Sequence, residues 1–102
     1  MSTVVVATVV PLPGQREALL AAFEKAIPLV HAERGCERYA LHESDDQLVM
    51  IEKWADGEAI QAHLQGAAFQ ELHSALEGRI DGELQVMVLA PHPAGTDDQG
   101  TL

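Results

Sequence analysis

Residues 3 to 10 read TVVVATVV, an almost unbroken run of β-branched and small apolar side chains. Such a run favours an extended, buried strand. Successive side chains of a strand point to opposite faces, so this one is apolar on both. A sheet containing it needs cover on both sides.

The segment PLPG at positions 11–14 ends the strand. From Gln15 to about Arg34 the apolar positions Leu19, Phe23, Ile27 and Val30 form one helical stripe. Pro28 lies within it and predicts a kink or an early end, because it cannot donate to the Glu24 carbonyl. Gly35 closes the element. Cys36 to Ser44 and Leu48 to Trp54 form a hairpin around SDDQ. With Asp45 and Asp46 as the turn, Tyr39 pairs with Glu52. Tyr39, Leu41, Met50, Glu52 and Trp54 then share one face, and Cys36, Ala40, Val49 and Ile51 the other. A loop one residue longer would reverse this assignment. Asp56 is placed to cap a helix through Leu64, Gly66 interrupts, and Ala67 to Leu76 is again helical. Leu84 to Leu89 is a last strand. We expect one domain over residues 1–90 and a flexible tail over 91–102, PHPAGTDDQGTL, which has no apolar periodicity.

The order β-α-β-β-(αα)-β predicts an α+β fold, the ferredoxin-like split βαβ with an antiparallel sheet and helices on one face. The first strand and the hairpin face carrying Tyr39, Leu41, Met50 and Trp54 leave more apolar surface than those helices cover. A second copy of the sheet is the simplest cover, so a homodimer is expected, with the Leu41–Met50 region at or near the interface.

A net charge of −10 over 102 residues argues against nucleic acid and anionic membranes as partners. No apolar run is long enough to span a bilayer, and MSTVVVATVV lacks the basic start of a signal peptide. The single cysteine, Cys36, permits no intrachain disulfide and fits a cytoplasmic setting. There is no GxGxxG, P-loop or HExxH pattern, so neither a cofactor nor a metal is expected. Six Lys and Arg residues, scattered along the chain, are a poor basis for holding a phosphate.

The segment AIQAHLQGAAFQELHSALEG at 59–78 places two imidazoles where aliphatic side chains would pack more cheaply. His73 falls on the stripe of Phe69, Leu72 and Leu76, and His63 lies beside Ile60 and Leu64. Each is either a half-buried ring bonded to backbone or water, or a proton carrier facing a cleft between helices and sheet. Glu52, between apolar neighbours on a strand, needs a partner; Arg38, Arg79 or a group from a second subunit would make a structural pair. Cys36 reads as a packing residue.

The stretch from Glu33 to Leu72 resembles the antibiotic biosynthesis monooxygenase family. The resemblance rests on an ordered set: Gly35-Cys36, Tyr39, Glu52-Lys53-Trp54 and Ala62-His63. It implies a dimeric α+β barrel in which two sheets pack face to face. It also implies a choice of activities. Some members oxygenate phenols or quinols with O2 and no metal or flavin, some open haem, and some isomerise small phosphorylated sugars. Trp54 stands at the position of a substrate-side Trp in the cofactor-free oxygenases. His73 follows Phe69 with the spacing of the iron ligand in the haem-opening relatives. Those relatives, however, carry an Asn on the first strand and a Trp near the position of His63. We therefore expect a cofactor-independent monooxygenase taking a small aromatic substrate and O2. Its catalytic residues would be His63, His73 and Trp54, with Tyr39, Phe69 and Phe23 against the substrate. The alternatives are a non-catalytic ligand-binding or stress-related dimer of the same fold, and a haem-binding or haem-degrading protein.

Overall fold

The computed structural model describes residues 2–102. The elements run β1 (Thr3–Val9), α1 (Arg16–His31), β2 (Cys36–Glu43), β3 (Leu48–Trp54), α2 (Gly57–Gln65), α3 (Ala67–Leu76), β4 (Gln85–Leu89) and α4 (Asp97–Gly100). The four strands form one sheet in the order β2-β3-β1-β4. Every pairing is antiparallel. This is the expected split βαβ arrangement, and the apolar β1 occupies an interior position of the sheet. The four-residue α4, capped by the Thr96 side chain, lies within the segment after β4.

The hairpin register is the one set by an Asp45-Asp46 turn: Tyr39 opposes Glu52 and Leu41 opposes Met50. The face it creates is not the uncovered one. Leu48, Met50, Glu52 and Trp54 are buried and alternate with half-buried Val49, Ile51 and Lys53. Leu48, Met50 and Trp54 join Val5 and Val9 of β1 with Leu19, Phe23 and Val30 of α1 and Leu72 and Leu76 of α3 in one core. The Tyr39–Met50–Trp54 face is therefore the helix-covered one. The opposite face carries Val6, Val49 and Ile51, and Met87 and Leu89 align with it through the register of β4 on β1. The expectation that this hairpin face, with the Leu41–Met50 region, is the one left for a second copy is thus overturned: both faces are apolar, and the helices pack on this one.

Two local expectations change. Helix α1 runs through Pro28 to His31. Glu24 and Pro28 are both exposed, so the carbonyl that loses its N–H partner can turn to water. The β2–β3 ladder shifts register between Cys36 and Arg38, so Cys36 opposes Trp54 and packs against the core instead of sharing the outer face.

Asp56 caps α2 as expected, its side chain accepting from the Ala59 N–H at 2.8 Å. Gly35 enables that helix to sit close to the start of β2. Its φ is +80°, and a Cβ there would lie 2.5 Å from the Ala59 Cβ. The line of α2 pressed inward is thus Ala59 and His63, one turn apart, while Leu64 is 39% exposed.

Candidate functional site

Between the sheet and helices α2 and α3 lies a cavity of about 80 Å³, walled almost entirely by aliphatic and aromatic side chains. One ordered water needs only ~10–15 Å³, so the space holds more than a trapped solvent molecule. Four titratable side chains line it: Tyr39, Glu52, His63 and His73. On the β4 side the wall is Leu84, Val86 and Val88.

His63 is only 4% exposed. Its Nδ1 lies 2.7 Å from Oε1 of Glu33, in the connection after α1. A carboxylate only accepts, so Nδ1–H donates, and Nε2 is the nitrogen left to accept a proton. No buried side-chain nitrogen or oxygen among the described residues lacks a partner. Nε2 has none, so it must meet open space, and the space His63 lines is the cavity. The ring is held among aromatics, with centroid separations of 4.7 Å to Trp54, 5.6 Å to Tyr39 and 5.4 Å to Phe69. Such packing fixes the imidazole plane, and the Glu33 bond fixes the tautomer.

Glu52 is 6% exposed and has no cationic partner among the described residues. The expected pairing with Arg38 or Arg79 does not form. Instead the Trp54 indole Nε1–H donates to Glu52 Oε1 at 2.8 Å. Burial in apolar surroundings pushes the carboxyl up to about 7, and the indole bond draws it only partly back. The same burial, with the charges of Glu52 and Glu33, holds the Tyr39 phenol above its ordinary range. Cys36 is raised in the same way, chiefly by burial, which favours the thiol and suits a packing role.

The expected site residues separate into layers. Tyr39, His63, Phe69 and Phe23 all line the cavity. Trp54 does not; it is wholly buried behind Tyr39 and His63 and acts on the site through Glu52. His73 is exposed and does not point into the sheet with His63. It stands at the rim, 5.9 Å from Phe69 between ring centroids, where the cavity meets an outer groove along Leu76, Ile80 and Leu84. The buried line of α3 is Ala68, Leu72 and Leu76, which turns His73 aside. Sequence reasoning missed Glu33 altogether. Its only signal was a carboxylate just before the glycine that starts β2, thirty positions from its partner.

Among the described residues no three His, Cys, Asp or Glu side chains converge into a metal-binding set. No described helix is long and apolar enough to cross a membrane.

Residues 2–75 match the family model described as "Antibiotic biosynthesis monooxygenase". The chain is 32% identical over 100 residues to YgiN of Escherichia coli (strain K12), named "Probable quinol monooxygenase", covering 85% of this chain and 95% of that one. Its fold superposes on the structure of Rv0793 from Mycobacterium tuberculosis with a TM-score of 0.87 at 28% identity, covering 94% of this chain and all of the other. The structure of PA3566 from Pseudomonas aeruginosa gives a TM-score of 0.79 at 26% identity, over 86% and 91% of the two chains.

Proposed function

This chain belongs to the antibiotic biosynthesis monooxygenase family, and on that premise we propose that it is a monooxygenase that inserts one oxygen atom of O2 into a phenol or quinol without a cofactor. The observation that carries the reading is the Glu33–His63 pair, with Nε2 directed into an apolar cavity.

A hydroquinone bound there gives its hydroxyl proton to His63 Nε2, and Glu33 stabilises the imidazolium that forms. The resulting anion is electron-rich enough to pass one electron to O2. The two radicals then join in a carbon–oxygen bond, and the peroxide anion so formed takes the proton back from the imidazolium, which gives a hydroperoxide and leaves His63 neutral. Loss of water from the hydroperoxide completes the reaction, in which hydroquinone and O2 become hydroxyquinone and water. The apolar walls offer the anion few polar groups that would stabilise it and slow its reaction with O2. The name carried by YgiN supports the quinol class, and the aromatic and aliphatic lining suits a flat ring.

We propose further that the protein works as a homodimer, its uncovered face of Val6, Val49, Ile51, Met87 and Leu89 buried against a second copy. Met87 and Leu89 are 55% and 42% exposed in the single chain, which supports this.

The test of the activity is incubation with benzo- and naphthohydroquinones under ¹⁸O2, with mass spectrometry of the products. One labelled oxygen in the quinone, at a rate above the protein-free control, is the expected result. Unlabelled quinone formed only at the control rate refutes the reading.

A further inference from the structure

Of the ionisable groups lining the cavity, Glu52 is the buried carboxyl, and it has no part in the steps above. Glu52 is a carboxyl with no cation to balance it, yet it lines the same space as His63. A buried carboxylate without a cationic partner is costly, and a carboxylic acid is not. Tyr39 of β2, His63 of α2 and His73 of α3 share the cavity with it; Cys36 lies close by on β2, and Glu33 and Glu37 lie beyond, Glu33 near Tyr39, Cys36 and His63 and Glu37 near Cys36. On β3 itself Lys53 points to the opposite face, near Glu37. The cavity walls from β1, β4 and α1 are Val5, Ala7, Val86, Val88 and Phe23, none of them charged. One oxygen, Oε1, is occupied by the Trp54 indole. The other has no partner among the described residues and, like His63 Nε2, must meet open space.

We infer that Glu52 is a second catalytic residue of this cavity, the acid that protonates the departing peroxide oxygen while His63 serves as the base. The inference rests on the monooxygenase reading above. The hydroperoxide carries C–O–OH on a carbon that still bears hydrogen. His63 takes that hydrogen as a proton, and its electron pair forms the C=O bond. The O–O bond breaks, the distal oxygen leaving as hydroxide and taking the Glu52 proton to become water. The imidazolium then returns its proton to the Glu52 carboxylate. Carbon is oxidised, oxygen is reduced, and both side chains end as they began.

Glu52→Gln keeps the acceptor for Trp54 and removes the proton. With 1,4-naphthohydroquinone and O2, the variant is expected to bind the probe as the wild type does and to form its anion anaerobically. Its rate of hydroxylation should fall about 100-fold, in the range of general-acid losses. The oxygen it still consumes should appear as unlabelled naphthoquinone and H2O2, because an intermediate that cannot lose water expels peroxide instead. His63→Gln should lose anion formation as well. An E52Q enzyme that hydroxylates at the wild-type rate without releasing H2O2 overturns the role of Glu52 and leaves the monooxygenase reading standing. A wild type that incorporates no label overturns both. Should E52Q not fold, the wild type alone decides. Its hydroxylation rate must fall on the alkaline side over the range in which Trp54 emission titrates, since the only Trp is bonded to the carboxyl concerned. A rate that does not follow the emission change refutes the assignment.

Discussion

Replacing Glu52 by Gln should make the protein more stable, and by an amount that depends on pH. The carboxyl is raised from 4.5 to about 7 by burial. Below pH 4 it is protonated in both folded and unfolded chains, and the substitution should be close to neutral. As pH rises past 4.5 the unfolded chain releases this proton freely while the folded chain retains it, so the wild type loses stability through this group. The loss is complete once pH passes 7 and the folded carboxyl has ionised too. At 1.36 kcal/mol per unit, the full difference is roughly 3 kcal/mol. Gln never ionises, and its Oε1 can still accept from Trp54. The E52Q variant should therefore match the wild type near pH 4 and exceed it by up to about 3 kcal/mol at pH 8. For a domain of this size that is a Tm difference on the order of 10 °C. Urea or thermal denaturation of both proteins from pH 4 to 8 measures it. Taking the difference between them removes the contribution of the other acidic residues, which titrate over part of the same range. Parallel stability profiles, or a variant less stable than wild type at pH 8, would show that the Glu52 charge is compensated in the fold, and the argument from its burial would fail.

Gly35→Ala should destabilise by roughly 3 kcal/mol, because it adds a Cβ 2.5 Å from that of Ala59 and forces a side chain into positive φ; urea titration checks it. Glu33→Ala should lower kcat on an identified hydroquinone about 100-fold while leaving KM within a few fold, since it frees the imidazole tautomer without touching the cavity wall. Light scattering should give the mass of a dimer at micromolar concentration, and Ile51→Glu on the uncovered face should shift it toward monomer with the circular dichroism retained. Haemin should give no shifted Soret band with the pure protein, because His63 is wedged among Trp54, Tyr39 and Phe69 with its Nδ1 held by Glu33, and His73 stands exposed at the cavity rim.

The sequence by itself determined the elements and their order. β-branched runs, helical stripes, the Asp56 cap and the Asp45-Asp46 turn act over a few residues, and each is legible where it stands. The turn also set the register, and with it the sharing of one face by Tyr39, Glu52 and Trp54, because alternation along a strand leaves no further freedom. The face that the helices cover was a tertiary decision, since both faces of the sheet are apolar and only the packing of α1 and α3 distinguishes them. So were the rotations of the two short helices. Ala59 approaches Gly35 and brings His63 inward in preference to Leu64, while Ala68, Leu72 and Leu76 take the buried line of α3 and leave His73 at the rim. A rotation of one residue, about 100°, separates the pattern expected from the one observed, and a short helix with apolar residues on two adjoining lines does not specify it. The site's chemistry was the least legible part. The Glu33–His63 bond joins residues thirty positions apart, and Glu52 meets an indole where a cation was expected. Both depend on distances between elements, which no local pattern encodes.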